Sequence, residues 1–103
     1  MEKLIDGKLY STDEAERVAT WSNVPDRSDF NYCREELHRT DSGRWFIYGT
    51  GGARSKYSER TSDGTTGGED IRAVSEEEAF QWCQKKNRTD AAREHFPGHF
   101  EPA

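Results

Sequence analysis

A chain of 103 residues is long enough for one small domain and too short for two independent cores. Leu, Ile, Val and Phe account for only 14 residues, but three Trp and four Tyr add large rings, and twenty acids against fifteen bases leave a net charge of −5. The composition describes a thin, aromatic-rich core under a charged surface of mixed sign, and it excludes a membrane-spanning helix because no apolar run is long enough.

Residues Met1 to Tyr10 read as a hairpin, with Leu4-Ile5 and Leu9-Tyr10 flanking Asp6-Gly7, a dipeptide suited to a two-residue turn with positive φ. The segment has no apolar signal core, so secretion is not expected. Ser11 and Glu14 stand at capping-box spacing, and Ala15, Val18 and Ala19 follow at helical spacing, which predicts a helix from about Thr12 to Thr20. Trp21 to Asp29 is a loop rich in turn formers. Phe30 to Thr40 and Arg44 to Gly49 are expected as strands joined by Asp41-Ser42-Gly43, with Gly43 in the left-handed position. In the second of these strands Trp45 and Ile47 face one way, Phe46 and Tyr48 the other. A strand apolar on both faces belongs in the middle of a sheet, covered on each side.

Residues 49–68 carry six glycines and one large apolar residue, Tyr57, and are expected as a long loop with one turn of helix near Ala53 to Ser58. Ile71 to Val74 is a short strand. Ser75 and Glu78 then form a second capping box, with Val74 placed to staple onto Ala79. The helix they start buries Ala79, Trp82 and Cys83, flanked by Phe80, and places Lys85 and Lys86 in its last turn. Thr89 to Phe96 reads as a short helix capped by Thr89 and stopped before Pro97, followed by a tail. Cys33 and Cys83 fit neither a disulfide framework nor a CxxC motif and are expected as reduced, buried thiols.

The fold these elements predict is α+β, a small antiparallel sheet of four to five strands with two capped helices packed on it. Residues 1–87 form the single domain, and 88–103 a short helix and C-terminal tail. The expected core is Trp45, Ile47, Phe46, Tyr48, Leu37, Val18, Ala79 and Trp82.

The usual catalytic and ligand-binding patterns are missing. Gly49-Thr50-Gly51-Gly52 ahead of Arg54 and Lys56 offers backbone amides for an anion, but no GxxxxGK[ST] is present and no strong helix follows. Cys83, His95 and His99 supply one thiolate and two histidines separated by Pro97-Gly98, short of a tetrahedral metal set. His38 reads as a surface cross-strand partner. Glu35 and Glu36 are adjacent on a strand and so face opposite sides. With neither GxSxG nor HExxH, no catalytic residue, metal or cofactor is expected, and the chain reads as non-enzymatic.

The charge distribution says more. Residues 63–78 hold Asp63, Glu69, Asp70, Glu76, Glu77 and Glu78 against Arg72 alone, whereas 44–62 hold Arg44, Arg54, Lys56 and Arg60 against Glu59. An acidic edge of this kind can compete with phosphate for a basic groove in another protein. The candidate partner-binding residues are therefore Asp63, Glu69, Asp70, Glu76 and Glu77. The alternative is a nucleic-acid contact through Arg54, Lys56 and Arg60.

A wider pattern runs through Leu37-His38-Arg39-Thr40, Ser42-Gly43, Trp45-Phe46-Ile47-Tyr48-Gly49, Gly51-Gly52, Tyr57, Gly67-Gly68-Glu69-Asp70-Ile71, Ser75, Glu78-Ala79 and Trp82. With Asp6 to Tyr10 and Glu14-Ala15, it resembles a family of small, mostly uncharacterised proteins carried on phages, plasmids and conjugative elements. The resemblance covers about residues 4–83. Small proteins in that setting include anti-CRISPR proteins. The resemblance implies a non-catalytic, stoichiometric inhibitor in the cytoplasm of a host bacterial cell, binding a CRISPR effector and blocking its nucleic-acid-binding surface. A nucleic-acid-binding accessory protein of a mobile element is the alternative. The resemblance carries no catalytic residues.

Overall fold

In the computed structural model, which describes residues 1–26 and 28–103, Asp6 and Gly7 both take positive φ, 51° and 75°. Their turn joins β1 (Glu2–Ile5) to β2 (Lys8–Ser11) as an antiparallel hairpin. The expected helix from Thr12 to Thr20 does not form. The Asp13 N–H donates to the Ser11 hydroxyl at 3.3 Å and the Ala15 N–H to the Ser11 carbonyl at 3.1 Å, which closes one turn. The chain then extends as β3 (Glu16–Ser22). Val18 and Thr20 are β-branched and favour a pleated surface, and Val18, Ala19 and Trp21 all pack on the main core from this strand.

The connection to the next strand contains Arg27, which lies outside the described residues. Strand β4 (Cys33–Arg39) then pairs antiparallel with β3 on one side and with β5 (Trp45–Gly51) on the other. Gly43, at φ 88°, turns the chain between β4 and β5. Within the expected long loop the structure forms turns over residues 52–58 in place of a helical turn, then a second hairpin, β6 (Glu59–Thr61) with β7 (Gly64–Thr66). Strand β8 (Gly68–Val74) returns along β5. The architecture is α+β, with a four-stranded antiparallel sheet in the order β3-β4-β5-β8, two small hairpins and two helices.

Helix α1 (Glu76–Lys85) starts at the capping box, with the Glu78 N–H donating to the Ser75 hydroxyl at 3.1 Å and the Ser75 N–H to the Glu78 carboxylate at 3.0 Å. The second helix is α2 (Thr89–His95), whose N-cap residue, Arg88, makes no side-chain cap hydrogen bond. The C-terminal segment is built into the domain. Ala91, Ala92 and Phe96 join Leu37, Trp45, Ile47, Ala79, Phe80, Trp82 and Cys83 in one core, with Phe96 only 1% exposed.

The opposite face of the sheet has its own cluster of Tyr10, Phe46 and Ile71, bordered by Ile5, Ala15, Tyr48 and Ala73. Strand β5 therefore feeds a core on each side, as its sequence demands: Trp45 and Ile47 under the helices, Phe46 and Tyr48 under the β1–β2 hairpin. No helix among the described residues is long and apolar enough to cross a membrane.

Candidate functional site

The alternation that points Cys33 and Leu37 inward on β4 also points Glu35 inward, and it is 1% exposed. A buried carboxylate needs donors, and three donors and a second lysine converge on this one. Its Oε1 accepts from the Trp82 indole N–H at 3.0 Å and lies 3.8 Å from the Lys86 Nζ. Its Oε2 lies 2.8 Å from the Lys56 Nζ and accepts from the Tyr57 hydroxyl. Three hydrogen bonds occupy most of the roughly four lone-pair sites that a carboxylate offers, and Lys86 adds its charge from farther off.

Burial is the largest single influence on Glu35 and pushes its pKa up, but the hydrogen bonds from Lys56, Tyr57 and Trp82 and the Lys56 charge outweigh it. The carboxyl is held below its ordinary range and stays ionised. Burial, then Glu35 itself, drives the Tyr57 phenol far above its ordinary value, so Tyr57 is a donor throughout. Lys86 completes the arrangement by lying 3.5 Å over the Trp21 ring, which ties β3 to the end of α1. Chemically the cluster is a tie between strand, loop and helix, with its carboxylate neutralised by lysines of the same chain.

The glycines around it are there for clearance. Gly49 lies directly across from Glu35 on β5, and a Cβ on it would fall inside the Tyr57 ring. A Cβ on Gly68 would strike the Tyr57 carbonyl oxygen. Gly49, Tyr57 and Trp82, all part of the pattern noted in the sequence, thus meet at Glu35, with Gly68 giving room to Tyr57; the sequence places Glu35 only in an acid pair with Glu36 on opposite faces of a strand. The signal available was its register: a Glu placed between Cys33 and Leu37 on the inward side of an interior strand.

Two recesses of about 510 and 330 Å³ open beside the cluster and share Lys56 and Arg72 in their walls. Glu59, Glu69 and Asp70 line the larger, while Glu77, Glu78, Lys85 and Lys86 line the smaller.

On the other face of β4, Glu36 Oε1 and His38 Nε2 are 2.9 Å apart, and Arg34 lies 3.2 Å from Glu36 Oε2. His38 is not the surface residue expected from sequence. It is 2% exposed, stacks on Phe46 with ring centroids 4.9 Å apart, and its Nδ1 has no partner among the described residues. The hairpin of β1 and β2 packs over this face and removes it from solvent.

The five acidic candidates are all exposed and sit on or beside β8 in chain order. Asp63 is in the β6–β7 turn. Glu69 accepts from the Tyr48 hydroxyl at 2.5 Å, and burial followed by that contact pushes Tyr48 up to about 12. Asp70 pairs with the Lys3 Nζ at 2.6 Å, which, as the leading cause, lowers its pKa. Glu76 and Glu77 flank the His99 ring, at 3.1 and 3.0 Å.

The basic candidates diverge. Lys56 is committed to Glu35, Arg54 lies over the Phe30 ring and Arg60 is exposed on β6. The glycine-loop amides are also engaged, with Gly52 N–H donating to the Tyr32 carbonyl and Arg54 N–H to that of Phe30, each at 2.8 Å. Cys83 is a free thiol in the core, pushed up to about 11 by burial, while His95 packs edge-on to Trp45 and His99 sits on α1. Cys33 is likewise free and buried.

No family model matches the sequence, and neither a curated protein nor a solved structure proves similar to it.

Proposed function

We propose that this protein is a non-catalytic, stoichiometric inhibitor that binds a CRISPR effector and occupies the surface on which that effector holds nucleic acid. The observation that carries the reading is the exposed run of carboxylates Asp63, Glu69, Asp70, Glu76 and Glu77 along β8 and the elements at its two ends. Exposed carboxylates clustered about one sheet edge present charge to Lys and Arg side chains arranged for phosphate. The Glu35 cluster supports the non-catalytic part, because its buried carboxylate is held by Trp82, Tyr57, Lys56 and Lys86 of the same chain. The identity of the partner rests on the resemblance to proteins of phages, plasmids and conjugative elements, and a host cytoplasm goes with it.

The test is a pull-down from bacterial cells expressing effectors of several CRISPR types, followed by a cleavage assay with the captured type. The expected result is co-elution in fixed stoichiometry, inhibition that saturates at that ratio, and relief by excess guide or target nucleic acid. Retardation of free DNA or RNA on a gel, falling steeply with salt, would instead favour the accessory-factor reading through Arg54, Lys56 and Arg60.

A further inference from the structure

The two edges of the central sheet are finished differently. Strand β3 is bulged at Val18, where the register shifts between Arg17 and Ala19, and the Arg88 guanidinium donates to the Thr20 carbonyl at 2.6 Å. That edge is kinked and capped. Strand β8 is flat, with seven successive pairs to β5, from Gly51–Gly68 to Trp45–Val74, and no shift in register. The Ile71 N–H is taken by the Asp70 carboxylate at 2.9 Å instead of by β5. Since the ladder alternates, Glu69, Ile71 and Ala73 turn their main-chain groups outward. A long, unbulged edge strand is a template for a further strand.

The charges on this edge select the strand that fits. Asp70 and Arg72 are both exposed and, being two apart, share a face. An antiparallel two-fold contact centred on Ile71 sets Asp70 opposite Arg72 of a second copy, and Arg72 opposite its Asp70, while Glu69 meets Ala73. Centring the axis on Asp70 or on Arg72 would oppose like charges, and centring it on Glu69 or Ala73 would shorten the overlap. One register is therefore self-complementary in both charge and length, as a two-fold interface must be.

We infer that β8 is a homodimer interface, pairing antiparallel about Ile71 to give a continuous eight-stranded sheet. In the single chain the Asp70 carboxylate holds Lys3 and caps the Ile71 N–H; in the pair it releases both, takes Arg72 of the second copy and leaves the Ile71 N–H to the new ladder. Asp63, Glu76 and Glu77 lie off the strand and stay outside the contact, whereas Glu69 and Asp70 belong to both surfaces, so the dimer is tested on the chain alone, with no partner present.

Sedimentation of the full chain over a range of concentrations tests it, using the wild type, Asp70→Arg, Arg72→Asp and the double swap. The expected result is a concentration-dependent dimer weakened about tenfold by either single reversal, because each cross-strand pair occurs twice. The double swap should recover to within about threefold of wild type. Hydrogen exchange of the wild type alone should show the Glu69, Ile71 and Ala73 amides gaining protection with concentration, which decides the matter even if a single reversal folds poorly. A chain that remains monomeric at about 1 mM, a dimer indifferent to both reversals, or a swap that fails to restore pairing would each overturn the inference.

Discussion

Loss of the buried Glu35 carboxylate strands several polar groups at once. Glu35→Ala leaves the Trp82 indole N–H and the Tyr57 hydroxyl without their acceptor, while Lys56, more than half exposed, returns to water, so the cost is that of the unsatisfied donors, about 1–3 kcal/mol each. Urea denaturation measures this, and a loss under about 1 kcal/mol would contradict the tie. Because the folded Glu35 titrates below its ordinary value, its contribution is complete above the ordinary carboxylate range and disappears as pH falls through the lowered value. Wild type should therefore lose stability on acidification more steeply than Glu35→Gln. His38 is the opposite case. Its Nδ1 is buried with no partner among the described residues, so His38→Phe, which keeps the stack on Phe46, should leave stability within about 1 kcal/mol of wild type despite the lost contact with Glu36.

Local elements follow from local signals. Ser75→Ala removes the hydroxyl that accepts the Glu78 N–H and should cost about 1 kcal/mol in a thermal melt, with the sheet otherwise unchanged. That capping box, the Asp6-Gly7 turn, Gly43 and the two-faced β5 were legible in the sequence because each depends on a few adjacent residues. Strand β3 was not. Its bulge at Val18 breaks the period of two, and Ser11 to Glu14 imitates a helix start that closes only one turn. The β6–β7 hairpin was hidden for another reason: all six of its strand residues are exposed, so no apolar alternation marks it. The Glu35 cluster joins Glu35 to Trp82, 47 positions away, through strand register and a loop, which short-range patterns do not carry. Gly49→Ala probes that assembly directly. It should expel Tyr57 from Glu35, seen as exposure of the phenol to solvent in tyrosine absorbance.

At the scale of the whole molecule, the sheet with helices on one face and a hairpin on the other measures 49 × 35 × 18 Å, a slab whose edges are prominent. Its C-terminal tail folds back so that His99 lies between Glu76 and Glu77, and those carboxylates, Glu76 foremost, raise the imidazole above its ordinary value. The contact is therefore strongest at low pH and loosens as pH rises through the raised value, which hydrogen exchange of residues near the C-terminus reports. The tail and a cationic partner address the same two glutamates, whereas Asp63 and Glu69 stand clear of it. The central claim, that these carboxylates engage a phosphate-binding groove, is tested most directly by the association rate of the Asp63→Lys, Glu69→Lys double variant with a captured effector at low and high salt. With an unchanged melting curve, the account predicts association slowed at least about tenfold at low salt, a gap to wild type that narrows as salt rises, and inhibition lost in parallel. Association and inhibition equal to wild type at both salt concentrations would contradict it.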